Sequence, residues 1–218
     1  MAELVWDDAG DRLYETGIDK VVLFPFAAGG GYANGVAWNG VTAINENPSG
    51  GEATALYADN IKYLNLMSVE ELGLSIEAYD SPDEFDECDG SVALATGVTI
   101  GQQERKHFGL CYRTLIGNDE EGTNYGYKIH IVYDCVASPT EKSHSTVNDS
   151  PEAEAMSWDV NTVPIAVSGY KPTASVVIDS TKVAEAKLTL IKNSLYGTAN
   201  APSTILTPAG ILEIINAT

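Results

Sequence analysis

Cations are scarce in this chain. Lys and Arg together number 12 against 31 Asp and Glu, a formal net charge of -19 over 218 residues. Affinity for a phosphate backbone comes from cationic contacts that release counterions, so a sequence-reading nucleic-acid binder is disfavoured. Cysteine is sparse too: Cys88, Cys111 and Cys135 are odd in number, widely spaced and part of no CxxC or Cys/His pattern. Neither a disulfide framework nor a zinc site follows, and buried free thiols are expected. Long apolar runs are missing, the longest being residues 21–28, which Pro25 interrupts. The first twenty residues carry Glu3, Asp7, Asp8, Asp11 and Glu15, the wrong charge for a secretory signal, so folding in the cytosol without a membrane partner is expected. No internal repeat or low-complexity tract is present.

The dominant period along the chain is two, the period of strands. Alternating or β-branched and aromatic runs occupy residues 20–24, 36–44, 72–79, 92–100, 107–116, 125–136, 156–167 and 174–178, with Gly, Pro, Asn and Asp between them. This predicts a mainly β fold, a sandwich or barrel-like domain spanning 1–218. In the run 125–134, Tyr125, Tyr127, Ile129, Ile131 and Tyr133 share one face and Lys128, His130, Val132 and Asp134 the other, which reads as one packed and one wetter face. Pairing this run with 106–116 as a hairpin sets Cys111 opposite roughly His130 and far from Cys135.

Three places break the strand pattern. Pro82 followed by Asp83 and Glu84 opens a short helix over 82–88, acidic in its first turn. Residues 181–196 place Ala184, Leu188, Ile191 and Leu195 at helical spacing, with Ser180 or Thr181 as cap and Gly197 as stop. A short second helix follows Pro208 to Ile215. The connection 45–60, NENPSGGEATALYADN, is rich in loop formers yet holds Leu56 and Tyr57, which reads as a long loop with apolar anchors.

Candidate chemistry does not assemble into a catalytic or metal site. Ser143, His144 and Asp149 lie in a polar loop without the strand-turn-helix setting of an activated nucleophile. Asp83, Glu84, Asp86, Glu87 and Asp89 lack the spacing of a calcium loop. Gly29–Gly31 is not followed by the Lys and Ser/Thr of a phosphate loop, and His107, His130 and His144 have no ligand partners at short spacing. Trp6, Trp38 and Trp158 read as core or interface anchors. A non-enzymatic protein without cofactor or metal is expected.

An ordered series of segments carries a resemblance: DRLYETG at 11–17, GVAWNGVTAINENPSGGEATALYADN at 35–60, the continuation to LYADNIKYLNLMS at 56–68, PDEFDECDG at 82–90, GVTIGQQERKHFGLCYRTLIGND at 97–119 with its extension to Asp134, and STVNDSPEA at 145–153. Together these resemble the major tail tube protein of long-tailed, non-contractile bacteriophages, over most of the chain. The resemblance implies a structural virion subunit, assembled in the host bacterial cytoplasm into hexameric rings that stack into a tail tube. It further implies an N-terminal arm at about 1–19, a C-terminal arm at about 198–218, and a stacking loop at about 45–68 that reaches the neighbouring ring. Leu56, Tyr57, Asp59, Asn60, Tyr63 and Leu64 are its implied inter-subunit contacts. Implied partners are further copies of the chain, a tape measure protein in the lumen, tail terminator and distal tail proteins, and DNA passing through without specific binding. The alternative from another class is a β-sandwich binding module, such as a cell-surface or carbohydrate-binding domain. The missing export signal and the lack of an aromatic cluster in any one loop count against it.

Overall fold

A computed structural model describes residues 4–146 and 153–217. In chain order the strands are β1 (Tyr14–Pro25), β2 (Val36–Ala37), β3 (Val41–Gly50), β4 (Ala53–Ala58), β5 (Ile61–Met67), β6 (Glu70–Ala78), β7 (Val92–Ala95), β8 (Val98–Ile100), β9 (Phe108–Asn118), β10 (Gly122–Ala137), β11 (Met156–Thr162) and β12 (Ser175–Asp179). Two helices close the chain, α1 (Glu185–Tyr196) and α2 (Pro208–Asn216). The fold is mainly β with one flanking helix and a short second one.

The main sheet runs β2-β1-β9-β10-β11-β6-β3, all antiparallel, and β12 pairs with the middle of β10, from Lys128 to Val132. β9 and β10 form the central hairpin, with Ile131 opposite Cys111 and His130 opposite Tyr112, one position away from the expected register. The ladder is interrupted between Val132 and Cys135, where Asp134 takes a left-handed φ of 48°. That irregularity turns Cys135 and Ala137 toward the same core as Val132.

Both faces of this hairpin are packed. Ile129, Ile131, Tyr133 and Cys111 lie under the helices with Leu188, Ile191, Leu195 and Ile211. On the other face Leu110, Tyr112 and Val132 meet Leu74, Ile76, Trp158 and Val160 from β6 and β11, because the sheet rolls over itself. Of the face read as wetter from the sequence, Val132 is fully buried while Lys128, His130 and Asp134 retain partial exposure. The interior of the roll is closed by an aromatic group, with Phe85 at 4.5 Å from Trp38, 5.3 Å from Trp158 and 5.5 Å from Phe108 between ring centroids. Each such fully buried side chain contributes roughly 2 kcal/mol or more of transfer free energy.

Element boundaries moved for identifiable reasons. The 36–44 run is split at Gly40, whose φ of 78° lets Trp38 turn into the core. The 92–100 run is folded in two at Thr96 and Gly97, giving the hairpin β7–β8. Asp83–Phe85 is a single 3-10 turn, pinned by buried Phe85 and followed by buried Cys88. α1 starts at Glu185 because Thr181 instead bonds the Asp179 carboxylate and the Ser180 hydroxyl accepts from the Tyr127 amide. α2 begins as expected at Pro208, with the Thr207 hydroxyl accepting from the Gly210 amide.

The two arms implied at the termini sit differently. Residues 14–19 belong to β1 and pair with β9; before them Gly10 and Arg12 are tied to Asn118 and Asp119 at the β9–β10 turn, and Leu4, Val5 and Trp6 are exposed. The C-terminal segment is docked on its own domain: the Tyr133 hydroxyl donates to the Leu206 carbonyl at 2.8 Å, the Gly35 amide donates to Ser203, and Ile211 is buried beside α1. All three cysteines are free and buried. Burial pushes the thiol pKa of Cys88 and Cys111 up to about 12, so neither is reactive at neutral pH.

Candidate assembly surface

The connection read as a loop is a strand-built arm. β3 pairs with β6 from Val41↔Ala78 to Gly50↔Glu70, whereas β11 supports β6 only from Ala78 to Gly73. Beyond Asn47 and Gly73 the β3/β6 pair therefore projects from the body, and it continues into β4 and β5. Pro48 is accommodated because β3 is the edge strand of the sheet, where a missing donor costs no ladder bond. The two ladders join through a kink at Gly50 and Gly51, with φ of 77° and 68°. A β-carbon on Gly50 would stand 2.1 Å from the Val69 carbonyl oxygen, so only glycine fits there. Across the kink the Ser68 amide donates to the Glu52 carbonyl and the Glu52 amide to the Ser68 hydroxyl, both at 3.0 Å.

The tip carries the residues singled out from sequence. Asp59 and Asn60 have φ of 51° and 62° and form the two-residue turn between Ala58 and Ile61. Both positive φ values fit a primed hairpin turn, which Asp and Asn tolerate, so the turn itself accounts for these residue types. Leu56 pairs with Leu64 and Thr54 with Leu66, placing three leucines on one side; Tyr57 pairs with Lys62 on the other, and Tyr63 is the extra residue of a bulge. Leu56 is 42% and Leu64 38% exposed, Tyr57 73% and Tyr63 67%. The expected apolar anchors thus do not fold back onto their own domain. Ile61, Leu66, Met67 and Val69 are exposed beside them, residues that sequence reasoning did not single out although IKYLNLM alternates.

The root of the arm is held by a polar group drawn from four strands. The Tyr112 hydroxyl donates to Glu46 at 2.6 Å, and the His130 ring stacks on Tyr112 at 4.6 Å and 5°. The Thr114 hydroxyl donates to Glu15 at 2.6 Å and lies 3.0 Å from His130 Nε2. With its single hydrogen committed to Glu15, Thr114 accepts from Nε2–H, which leaves His130 Nδ1 bare, 3.7 Å from Glu46 and without a hydrogen-bond partner. Lys128 also pairs with Glu15. Burial opposes charge on Glu15, but hydrogen bonds from Lys128 and Thr114 outweigh it and hold its carboxyl below the ordinary value. Burial lowers the pKa of His130 despite the pull of Glu46 and Glu15, so its ring is neutral at pH 7. No sequence spacing links Glu15, Glu46, Tyr112 and His130; only the rolled sheet brings them together.

The other candidate groups remain dispersed. Ser143 and His144 are exposed, and Asp149 lies outside the described residues. His107 Nδ1 is 2.5 Å from Asp134 and its ring leans on Phe26, with no nucleophile beside the pair. Lys106 pairs with Glu87, and Arg105 and Lys142 with Asp89, so the acidic turn is partly neutralised. Among the described residues no cluster of three or more His, Cys, Asp or Glu side chains is arranged to hold a metal ion. Trp38 and Trp158 are buried, whereas Trp6 is exposed.

No protein-family model matches this chain, and no curated protein is similar to it. The reading of its function therefore rests on its residues and on this geometry.

Proposed function

We propose that this chain is the structural subunit of a bacteriophage tail tube, in which copies form rings, hexameric on the resemblance, and the rings stack through the arm. The observation that carries the reading is the arm's tip: a two-stranded hairpin with Leu56, Leu64 and Leu66 on one side and Tyr57 on the other, left exposed among the described residues. An isolated hairpin in water is marginally stable, and contiguous exposed apolar groups mark an interaction surface. Open sheet edges along β3 and the outer side of β12 supply lateral contacts for ring closure, which would also remove the edge liability. The lumen would house the tape measure protein and then conduct DNA, and a net charge of -19 favours passage over binding.

Replacing residues 52–68 by a Gly-Gly turn tests the reading. Because residues 52–68 contribute no side chain to either buried cluster, the variant should melt like the full chain yet form no assembly larger than a ring on sedimentation. Stacks of unchanged size from the shortened chain would overturn the role given to the arm.

A further inference from the structure

Two uncovered apolar hairpins are rooted at opposite ends of the body. β3 begins beside Trp38 and the Phe85 group, runs past Glu46, where Tyr112 holds it, and leaves as the arm beyond Asn47. The β7–β8 hairpin leaves at the other end. The Gln103 amide donates to the Gly90 carbonyl at 2.9 Å and the Lys106 amide to Glu87 at 3.0 Å, closing its base just before Phe108, the first residue of β9. Tyr112 lies four positions further along that strand, so the two roots are separated along β9.

The two hairpins are also matched in chemistry. Residues 91–100, SVALATGVTI, hold no charged side chain, although the chain carries a net charge of -19. Val92 is opposite Ile100, alternation along β8 puts Val98 on the same side, and Val98 is 49% exposed, while Leu94 is the extra residue of a bulge between Ala93 and Ala95. The exposed Glu104 adjoins the closed base of this hairpin, and the exposed acids Asp83 and Glu84 lie in the turn that leads into it. The arm tip 53–67 contains one acid, Asp59, and one base, Lys62, so it is the neutral end of an otherwise acidic arm bearing Glu52, Glu70 and Glu71. An uncharged apolar surface with an acidic rim thus faces a neutral apolar tip carrying a cation, and copies of so acidic a chain can approach most easily there.

Resting on the tail-tube reading, we propose that the β4–β5 tip of one copy docks on the β7–β8 hairpin of a second copy. The Leu56, Leu64 and Leu66 side covers Val92, Val98 and Ile100, and Lys62 meets the acidic rim. The two surfaces differ and lie at opposite ends, so the contact is heterologous and repeats along an axis instead of closing.

Complementary variants test this. Leu66→Glu spoils the tip, Val98→Glu spoils the receiving hairpin, and both positions are exposed, so thermal melting of each should match the parent. Each variant alone should lose stacking by tenfold or more on sedimentation. Mixing the two, assembled separately, should restore one junction and give pairs that extend no further. Undiminished stacking by the Val98→Glu chain, or no pairing in the mixture, would overturn the proposed receptor while leaving the tail-tube reading standing. Failure of the parent chain to stack under any salt condition would remove both.

Discussion

Gly50 is the residue on which the arm's direction depends. Its φ of 77° and the 2.1 Å approach of the Val69 carbonyl oxygen to a would-be β-carbon leave no room for a side chain. Gly50→Ala should open the kink at a local cost of about 1–3 kcal/mol. Faster hydrogen exchange at the Gly51 and Ser68 amides, with unchanged melting of the body, would register it; protection equal to the parent would show that the kink tolerates a β-carbon. His130 makes a prediction in pH. Burial keeps its folded pKa below the unfolded value of about 6.5, so the stability it contributes is complete above that pH and declines as pH falls through 6.5 toward the folded value. Denaturant midpoints between about pH 7.5 and 5 should fall for the parent and fall less for His130→Gln. Parallel curves would remove His130 as the source. Neither role is legible in the sequence, because the Gly50 contact and the His130 environment are created by strands far apart in the chain.

Among the elements, those that fill the core were the easiest to read. The Ile129, Ile131 and Tyr133 face, with Tyr127 at its margin and Tyr125 exposed beyond it, and the stripe of Leu188, Ile191 and Leu195 are packed where their periodicities put them, since burial of one face enforces the period. The arm was the hardest, because Pro48, Gly50 and Gly51 are loop formers that here sit on an edge strand and at a kink between ladders. The expected helix start at Thr181 gave way for a related reason: its hydroxyl found Asp179 as a nearer partner than the helix amides. At the arm's tip, Leu56→Ala with Tyr57→Ala should leave melting of the monomer nearly unchanged, while removal of two interface anchors, each about 2 kcal/mol at a hot spot, should shorten stacks. Leu110→Ala, fully buried, supplies the contrast and should cost about 2–5 kcal/mol of folding stability. Equal melting losses in both variants, with stacking intact in the tip variant, would assign Leu56 and Tyr57 to the fold instead of the interface.

At the scale of the whole molecule, charge sets the terms of the proposed assembly. A net charge of -19 would make copies repel until apolar contacts at short range prevail. Raising ionic strength, which brings the screening length to about 8 Å at 0.15 M, should therefore promote stacking, and sedimentation across a salt series would show it. Assembly that weakens with salt would mean that attraction between opposite charges, not burial of the tip, drives the contact. The mainly β body, with its roll closed by the Phe85 group and its outer face covered by two helices, gives the arm a rigid root. Electron microscopy of the purified, untagged protein at moderate salt is the most direct test of its being a tube subunit. Rings stacked into hollow tubes are expected, with the arm of each ring bridging to the next; a population of monomers or closed two-fold dimers alone, at every salt concentration, would contradict it.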